Sequence, residues 1–129
     1  MNELNEVNIQ SLRDYCLSLP LATEDMAFGD DCLLLRVCDK IFACISLVRN
    51  DYFVVKCDPG YAIELRERHS EIEPAWHWNK KYWIQINPCG TLTPAFIASL
   101  IRHSYSQVVA KLPQKVKREF PELLTVSQN

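Results

Sequence analysis

At 129 residues, with 48% hydrophobic and 23% charged side chains, the chain has the size and composition of one globular domain. It is long enough to bury a core without metal or disulfide staples. Residues 1–73 hold seven Lys/Arg against fourteen Asp/Glu, whereas 74–118 hold seven Lys/Arg and no acid, so a net charge of −2 conceals two halves of opposite sign. Such an asymmetry points to an anionic partner for the C-terminal half.

No stretch approaches the roughly 18 uninterrupted apolar residues of a membrane span. The start, Met1-Asn2-Glu3-Leu4-Asn5-Glu6, is acidic where a secretory signal needs a basic segment and then an apolar one. The expected compartment is the cytoplasm, with no membrane partner. One domain is expected over 1–129, its ordered core spanning about 8–120.

Ile9, Leu12, Cys16 and Leu19 recur at spacings of three and four, which predicts a helix capped by Asn8 and stopped before Pro20. Thr23 to Asp31 reads as polar and turn-rich, punctuated by Gly29-Asp30-Asp31. Three strands are expected next: Cys32–Val37, Ile41–Leu47 and Tyr52–Lys56. The first two form a hairpin around Cys38-Asp39-Lys40. Ile41–Leu47 is apolar on both faces, as a central strand should be.

Asp58-Pro59 is a cap followed by proline at the first helical position, predicting a helix to about Arg68 with Tyr61, Ala62 and Leu65 inward. Ser70–Lys80 reads as irregular. Tyr82–Ile86 alternates as a strand and ends at Asn87-Pro88-Cys89-Gly90. Thr93-Pro94 repeats the cap-and-proline start. Phe96, Ile97, Leu100, Ile101, Tyr105, Val108, Val109 and Leu112 then follow at nearly unbroken helical spacing. Pro113 ends that helix or opens a further short one to about Phe120.

Six cysteines without a C-x-x-C pair, set mostly among Leu, Val, Ile and Phe, read as small buried apolar residues in reduced form. Cys32, Cys38 and Cys44 are six apart, unlike the spacing of structural zinc sites. A two-residue turn at Asp39-Lys40 would set Cys44 opposite Leu35, away from the face of Cys32 and Cys38. No metal and no cofactor are expected.

His69, His77 and His103 lie in no nucleophile motif and read as surface or capping residues. Glu24-Asp25 and Asp30-Asp31 read as solvated turn carboxylates, and no phosphate-binding glycine loop occurs. No catalytic residue is assigned, and the chain is not expected to be an enzyme.

The segment Trp76-His77-Trp78-Asn79-Lys80-Lys81-Tyr82-Trp83 is different in kind. It places all three tryptophans beside two lysines. Aromatic faces stack on bases while lysines neutralise phosphate, the chemistry of single-strand binding surfaces. The same rings can instead close one end of a core, and Trp83, in a strand, has the stronger reason to face inward. Lys111, Lys115, Lys117 and Arg118 form a second basic group, which also suits the end of a helix.

These segments resemble the MmcQ/YjbR family of small bacterial proteins. The matching pieces are Tyr15-Cys16-Leu17-Ser18-Leu19-Pro20 with Thr23-Glu24, Phe28-Gly29, Lys40-Ile41-Phe42-Ala43 and Lys56-Cys57-Asp58-Pro59. Asn79-Lys80-Lys81-Tyr82-Trp83, His103-Ser104-Tyr105 and Lys111-Leu112-Pro113 continue the match. The resemblance implies an α+β fold: a two-layer α/β sandwich with an antiparallel sheet and helices on one face, described as CyaY-like. It also implies a DNA-binding role. The family often has histidine where this chain has Tyr82, so a function that needs imidazole there is not carried over. A frataxin-like comparison would bring in iron, yet the first helix offers only Asp14 as an acid.

The expectation is a small, non-enzymatic DNA-binding protein with a basic and aromatic C-terminal half. Lys80, Lys81, Lys111, Lys115, Lys117 and Arg118 are the candidate phosphate contacts, and Trp76, Trp78 and Trp83 the candidate stacking platform. His77, Asn79 and Tyr82 mark a candidate ligand groove. The expected partner is DNA or single-stranded nucleic acid. The alternatives are a protein-interaction module that docks an acidic protein, or a small-molecule binder or enzyme built around His77–Trp83.

Overall fold

The computed structural model of the chain describes residues 3–126. Four helices and six strands follow in the order α1 (Ile9–Leu17), β1 (Ala22–Asp25), β2 (Cys32–Val37), β3 (Lys40–Ser46), β4 (Phe53–Lys56), α2 (Pro59–Arg68), β5 (Ile72–Pro74), β6 (Trp83–Ile86), α3 (Pro94–Ala110) and α4 (Gln114–Glu119). A single 3-10 turn, Pro121–Leu124, closes the described chain. All strand pairs are antiparallel, in the order β1-β2-β3-β4-β6-β5. The fold is α+β, with α1 and α3 laid across one face of the sheet. Among the described residues, no helix is long and apolar enough to cross a membrane.

The helix starts follow their caps. Asn8 accepts from the Ser11 N–H and the Ser11 hydroxyl accepts from the Asn8 N–H, both at 2.8 Å, a reciprocal capping box. Asp58 accepts from the Tyr61 N–H at 3.1 Å, and Thr93 from the Phe96 N–H at 3.1 Å. Proline follows each of these two caps, where its missing N–H costs nothing.

Two short strands replace segments expected to be irregular. β1 carries Thr23, Glu24 and Asp25 on a sheet edge, and its carboxylates are not merely solvated. Glu24 pairs with Arg13 at 2.6 Å, and Asp25 with Arg36. β5 is the opposite edge, where Pro74 is tolerated because one side of an edge strand needs no N–H donor.

The β2–β3 hairpin also differs from expectation. Its turn is Cys38-Asp39, both at positive φ (48° and 68°), as a two-residue hairpin turn of the I′ kind requires. Val37 pairs with Lys40 and Arg36 with Ile41, but Leu35 pairs with Ala43, so Phe42 is an extra, bulged residue. Cys44 therefore lies opposite Leu34, not Leu35. Cys32 and Cys44 share one face, and Cys38 sits in the turn.

The bulge turns consecutive residues Phe42 and Ala43 toward the helices. Phe42 meets Tyr105 edge-on, with centroids 5.5 Å apart. The Ser104 hydroxyl donates to the Phe42 carbonyl, and the Ser104 hydroxyl oxygen accepts from the Lys56 N–H at 2.8 Å. Ser104 is fully buried. Its hydroxyl thus stands between β3 and β4 at the point where their ladder stops at Ala43–Val55.

The main core lies between sheet and helices. Leu35, Val37, Ile45, Phe53, Val55, Ile84 and Ile86 meet Leu12, Cys16, Ile97, Leu100, Ile101 and Val108. Leu4 and Leu123 are buried in it too, beyond the expected limits of 8–120. A second, smaller cluster covers the other face: Leu34, Cys44, Val54 and Ala75, with Ile41, Tyr52, Trp78 and Trp83 half-buried over it. All six cysteines are free thiols; Cys16, Cys44 and Cys57 are buried, Cys32 and Cys38 half-buried, and Cys89 exposed.

Candidate functional site

Where β3 and β4 part at Ser104, a groove of about 610 Å³ opens. Lys40 and Ile41 of β3 form one wall and Lys56 of β4 the other. Trp83 of β6, which pairs with Lys56, and Val108, Lys111 and Leu112 at the end of α3 complete it, with Arg36 and Asp39 at the turn. Arg36 is already committed: its guanidinium donates to Asp25 and to the Asp39 carbonyl. Lys40, Lys56 and Lys111 take part in none of the salt bridges among the described residues.

Lys56 reports the local field. Its ammonium lies 6.0 Å from the centroid of the Trp83 ring. Burial holds its pKa below the ordinary lysine value, and the positive charge of Lys111 lowers it further, with the Tyr82 phenol pulling the other way. The folded protein therefore keeps two like charges close together beside an open groove. An anion placed there would relieve both the repulsion and the desolvation.

The residues singled out in the sequence divide between this groove and its surroundings. Lys111 and Trp83 line it, and Tyr82 lies next to it, its carbonyl accepting from the Cys57 N–H at 2.8 Å. The Lys81 ammonium sits 5.5 Å from the centroid of the Tyr82 ring, and that of Lys80 sits 4.8 Å from Trp76. Both lysines are exposed and stacked on their own neighbours. Asn79 builds the turn before β6: its side chain accepts from the Lys81 N–H and its carbonyl from the Tyr82 N–H.

Lys117 donates to the Ala110 carbonyl at 2.8 Å, a helix-end contact. Lys115 and Arg118 are exposed on α4, outside the groove lining. His103, on α3, accepts from the Asp58 N–H at the start of α2 at 3.1 Å and meets the Tyr61 ring at 5.0 Å.

Three groove cations, Arg36, Lys40 and Lys56, come from the half of the chain that the charge tally marks as acidic. Lys40 and Lys56 lie in segments that carry the family resemblance, but no local charge pattern marks the three as a cationic site. Only the pairing of Lys56 with Trp83 and the β2–β3 turn bring them to Lys111.

The tryptophans separate by exposure. Trp76 is 57% exposed, while Trp78 and Trp83 are half-buried over the second cluster with centroids 4.6 Å apart. Phe28 extends the row, 5.9 Å from Trp78 and 62% exposed. Beyond Trp78 lies a second cavity of about 410 Å³, with Phe28, Tyr52, Trp78, His77 and Gln85 among its lining residues. The Trp78–Trp83 pair thus joins the cationic groove at the end of the sheet to an aromatic pocket on its loop-covered face.

The family model described as YjbR matches residues 17–107. The chain is 30% identical over 118 residues to the uncharacterized protein YjbR of Escherichia coli (strain K12), covering 91% of this chain and all of that one. It is 28% identical over 107 residues to the uncharacterized protein YbdF of Escherichia coli O157:H7, covering 82% and 88%. The fold is similar to the crystal structure of Deinococcus radiodurans protein DR2400, of domain DUF419, with a TM-score of 0.80, 30% identity and 86% of each chain covered. A Pseudomonas syringae protein structure aligns with a TM-score of 0.67 and 26% identity, over 78% of this chain and 98% of that one. The match over most of the chain, in sequence and in fold, means that this protein belongs to the YjbR family.

Proposed function

We propose that this protein is a nucleic-acid-binding protein that acts by binding rather than catalysis, laying a phosphate backbone in the groove at the end of β3 and β4. The observation that carries this reading is the convergence of Lys40, Lys56 and Lys111 on Trp83, with Asp39 the sole carboxylate in the lining. Lysines gathered without carboxylate partners, one of them held below its ordinary pKa by burial and a neighbouring charge, are suited to a polyanion. Lys81 beside Tyr82 extends the positive field at the same end of the sheet.

Phosphate contacts of this kind give weak, salt-dependent affinity, with Kd about 10⁻⁴–10⁻⁶ M at physiological salt. Three lysines contribute a slope of about −2 in log affinity against log salt, at roughly −0.7 per contact on a single strand. Anisotropy titrations with labelled oligonucleotides at several salt concentrations test this. Changing Lys40, Lys56 and Lys111 together to glutamine should flatten the slope by about 2, more than the same change at Lys115, Lys117 and Arg118. No binding at low salt with tens of micromolar protein would overturn the reading. Equal binding of polyglutamate of matched charge would replace it with docking of an acidic protein.

A further inference from the structure

We infer that the pocket bounded by Phe28, Tyr52 and Trp78 receives one unstacked base of a single-stranded nucleic acid whose phosphates lie on Lys40, Lys56 and Lys111. The inference rests on the groove reading above and adds a site to it. A large apolar ring normally leaves water when the fold allows, yet Phe28 stays 62% exposed at the rim of an apolar cavity. Val48, on the same rim, is 68% exposed.

The pocket, about 410 Å³, is at the small end of ligand sites, which run from about 300 to 1,000 Å³. Its floor is Cys44 and Val54, and its aromatic sides are Phe28, Tyr52 and Trp78. Polar groups complete the lining: the Gln85 amide, the Asp31 carboxylate, the Ser46 hydroxyl and the His77 ring. A flat heterocycle with an apolar face and a hydrogen-bonding edge matches both features.

Charge divides the two cavities by role. The groove holds three lysines free of ion pairs among the described residues, whereas no Lys or Arg lines the pocket and its carboxylate is Asp31. Phosphate is therefore favoured in the first and repelled from the second, which leaves the second to the uncharged base. The two sites are in reach of one strand. Trp83 lines the groove and Gln85 the pocket, both on the same face of β6 and two residues apart, about 7 Å along the strand. That is comparable with one nucleotide step of an extended strand. A paired base inside a duplex cannot enter, so the pocket selects single strands.

The test compares an oligothymidylate of twelve nucleotides with an abasic strand of the same length and charge, and with the corresponding duplex. Each is titrated by anisotropy at low salt against wild-type protein and Phe28→Ala. Phe28 is exposed, so its replacement leaves the fold in place. The base-bearing strand should bind wild type about 5- to 150-fold more tightly than the abasic one, the range for loss of a stacked base. Phe28→Ala should lose much of that advantage, leave abasic binding unchanged and keep the same salt slope, because stacking releases no counterions.

Abasic and base-bearing strands of equal affinity, or a duplex bound as tightly as the single strand, would overturn the base pocket while leaving the phosphate groove standing. Failure of all three probes to bind would instead remove the groove reading and the pocket with it.

Discussion

On its helix side the sheet meets α1 and α3 and buries a continuous layer of Leu, Ile, Val and Phe. On its other side the same strands are covered by the segment leading into β6, with Trp78 in that segment and Trp83 at the start of β6 packed against Leu34, Cys44 and Val54. The helix side of the sheet is covered by α1 and α3. The loop covers only the middle of the other side, and both cavities open at its margins. The helix side thereby bears most of the stability, while the pocket lies on the other face and the groove at the end of the sheet, where the end of α3 reaches it, and mutations should show the division.

The largest effect is expected on the helix side. Leu100 is 1% exposed in the centre of α3. Leu100→Ala should cost about 2–5 kcal/mol, from lost transfer energy and the cavity left behind. Urea denaturation measures it. A change below about 0.5 kcal/mol would mean that α3 is not the element that holds this face together.

A titration sharpens the comparison, because each face contains a buried thiol. Cys57 belongs to the helix side and Cys44 to the loop side, and burial pushes both up to about 12 from an ordinary value of 9.0, with the adjacent Cys32 thiol adding to the rise at Cys44 and the Asp58 carboxylate to that at Cys57. The unfolded chain therefore releases these protons first. Their contribution is fully present below pH 9 and is lost as pH rises toward 12, at up to about 1.4 kcal/mol per pH unit for each thiol. Lys56 acts in the opposite sense. Its lowered folded pKa means that some stability returns as it deprotonates on the way to 10.5. Denaturation under reductant from pH 8 to 10 should show a net decline, and Cys44→Ala and Cys57→Ala should lessen it by similar amounts. If only Cys57→Ala does so, water reaches the loop side and the cover by Trp78 and Trp83 is looser than the geometry indicates.

The elements that the sequence made legible are those whose burial is periodic. α3 repeats its apolar stripe over five turns, and Thr93-Pro94 marks its start, so its face and limits were readable. β1 and β5 were not, because four and three residues on sheet edges show neither period nor apolar content; pairing with β2 and β6 makes them strands. The register of β3 was hidden for another reason. The bulge at Phe42 depends on Tyr105 and Ser104, far along the chain, which receive its ring and its carbonyl.

The same holds for the site. Lys111 and Trp83 stood out in an acid-free stretch, whereas Lys40 and Lys56 lay among acids and became site residues through strand pairing. The pocket was harder still to foresee. Phe28 and Tyr52 belong to separate loop segments with no shared pattern, and Trp78 brings them together.

The smallest expected effect completes the comparison, and it concerns a side chain usually costly to lose. Phe→Ala in a core costs about 3–5 kcal/mol, and Phe53, 1% exposed on the helix side, is such a position. Phe28, 62% exposed, touches Trp78 at 5.9 Å but buries little area of its own. Transfer energy scales with the area removed from water, so little is forfeited when this ring is cut back. Phe28→Ala should shift stability by no more than about 0.5 kcal/mol, the range of ordinary surface substitutions. Denaturation of the two single variants side by side measures the contrast. A loss of 2 kcal/mol or more at Phe28 would show that its ring is part of the loop-side cover, and any loss of binding in that variant would then be a consequence of unfolding. A negligible loss leaves Phe28 as a ring held in water at the mouth of a pocket, available to a ligand at almost no expense to the fold.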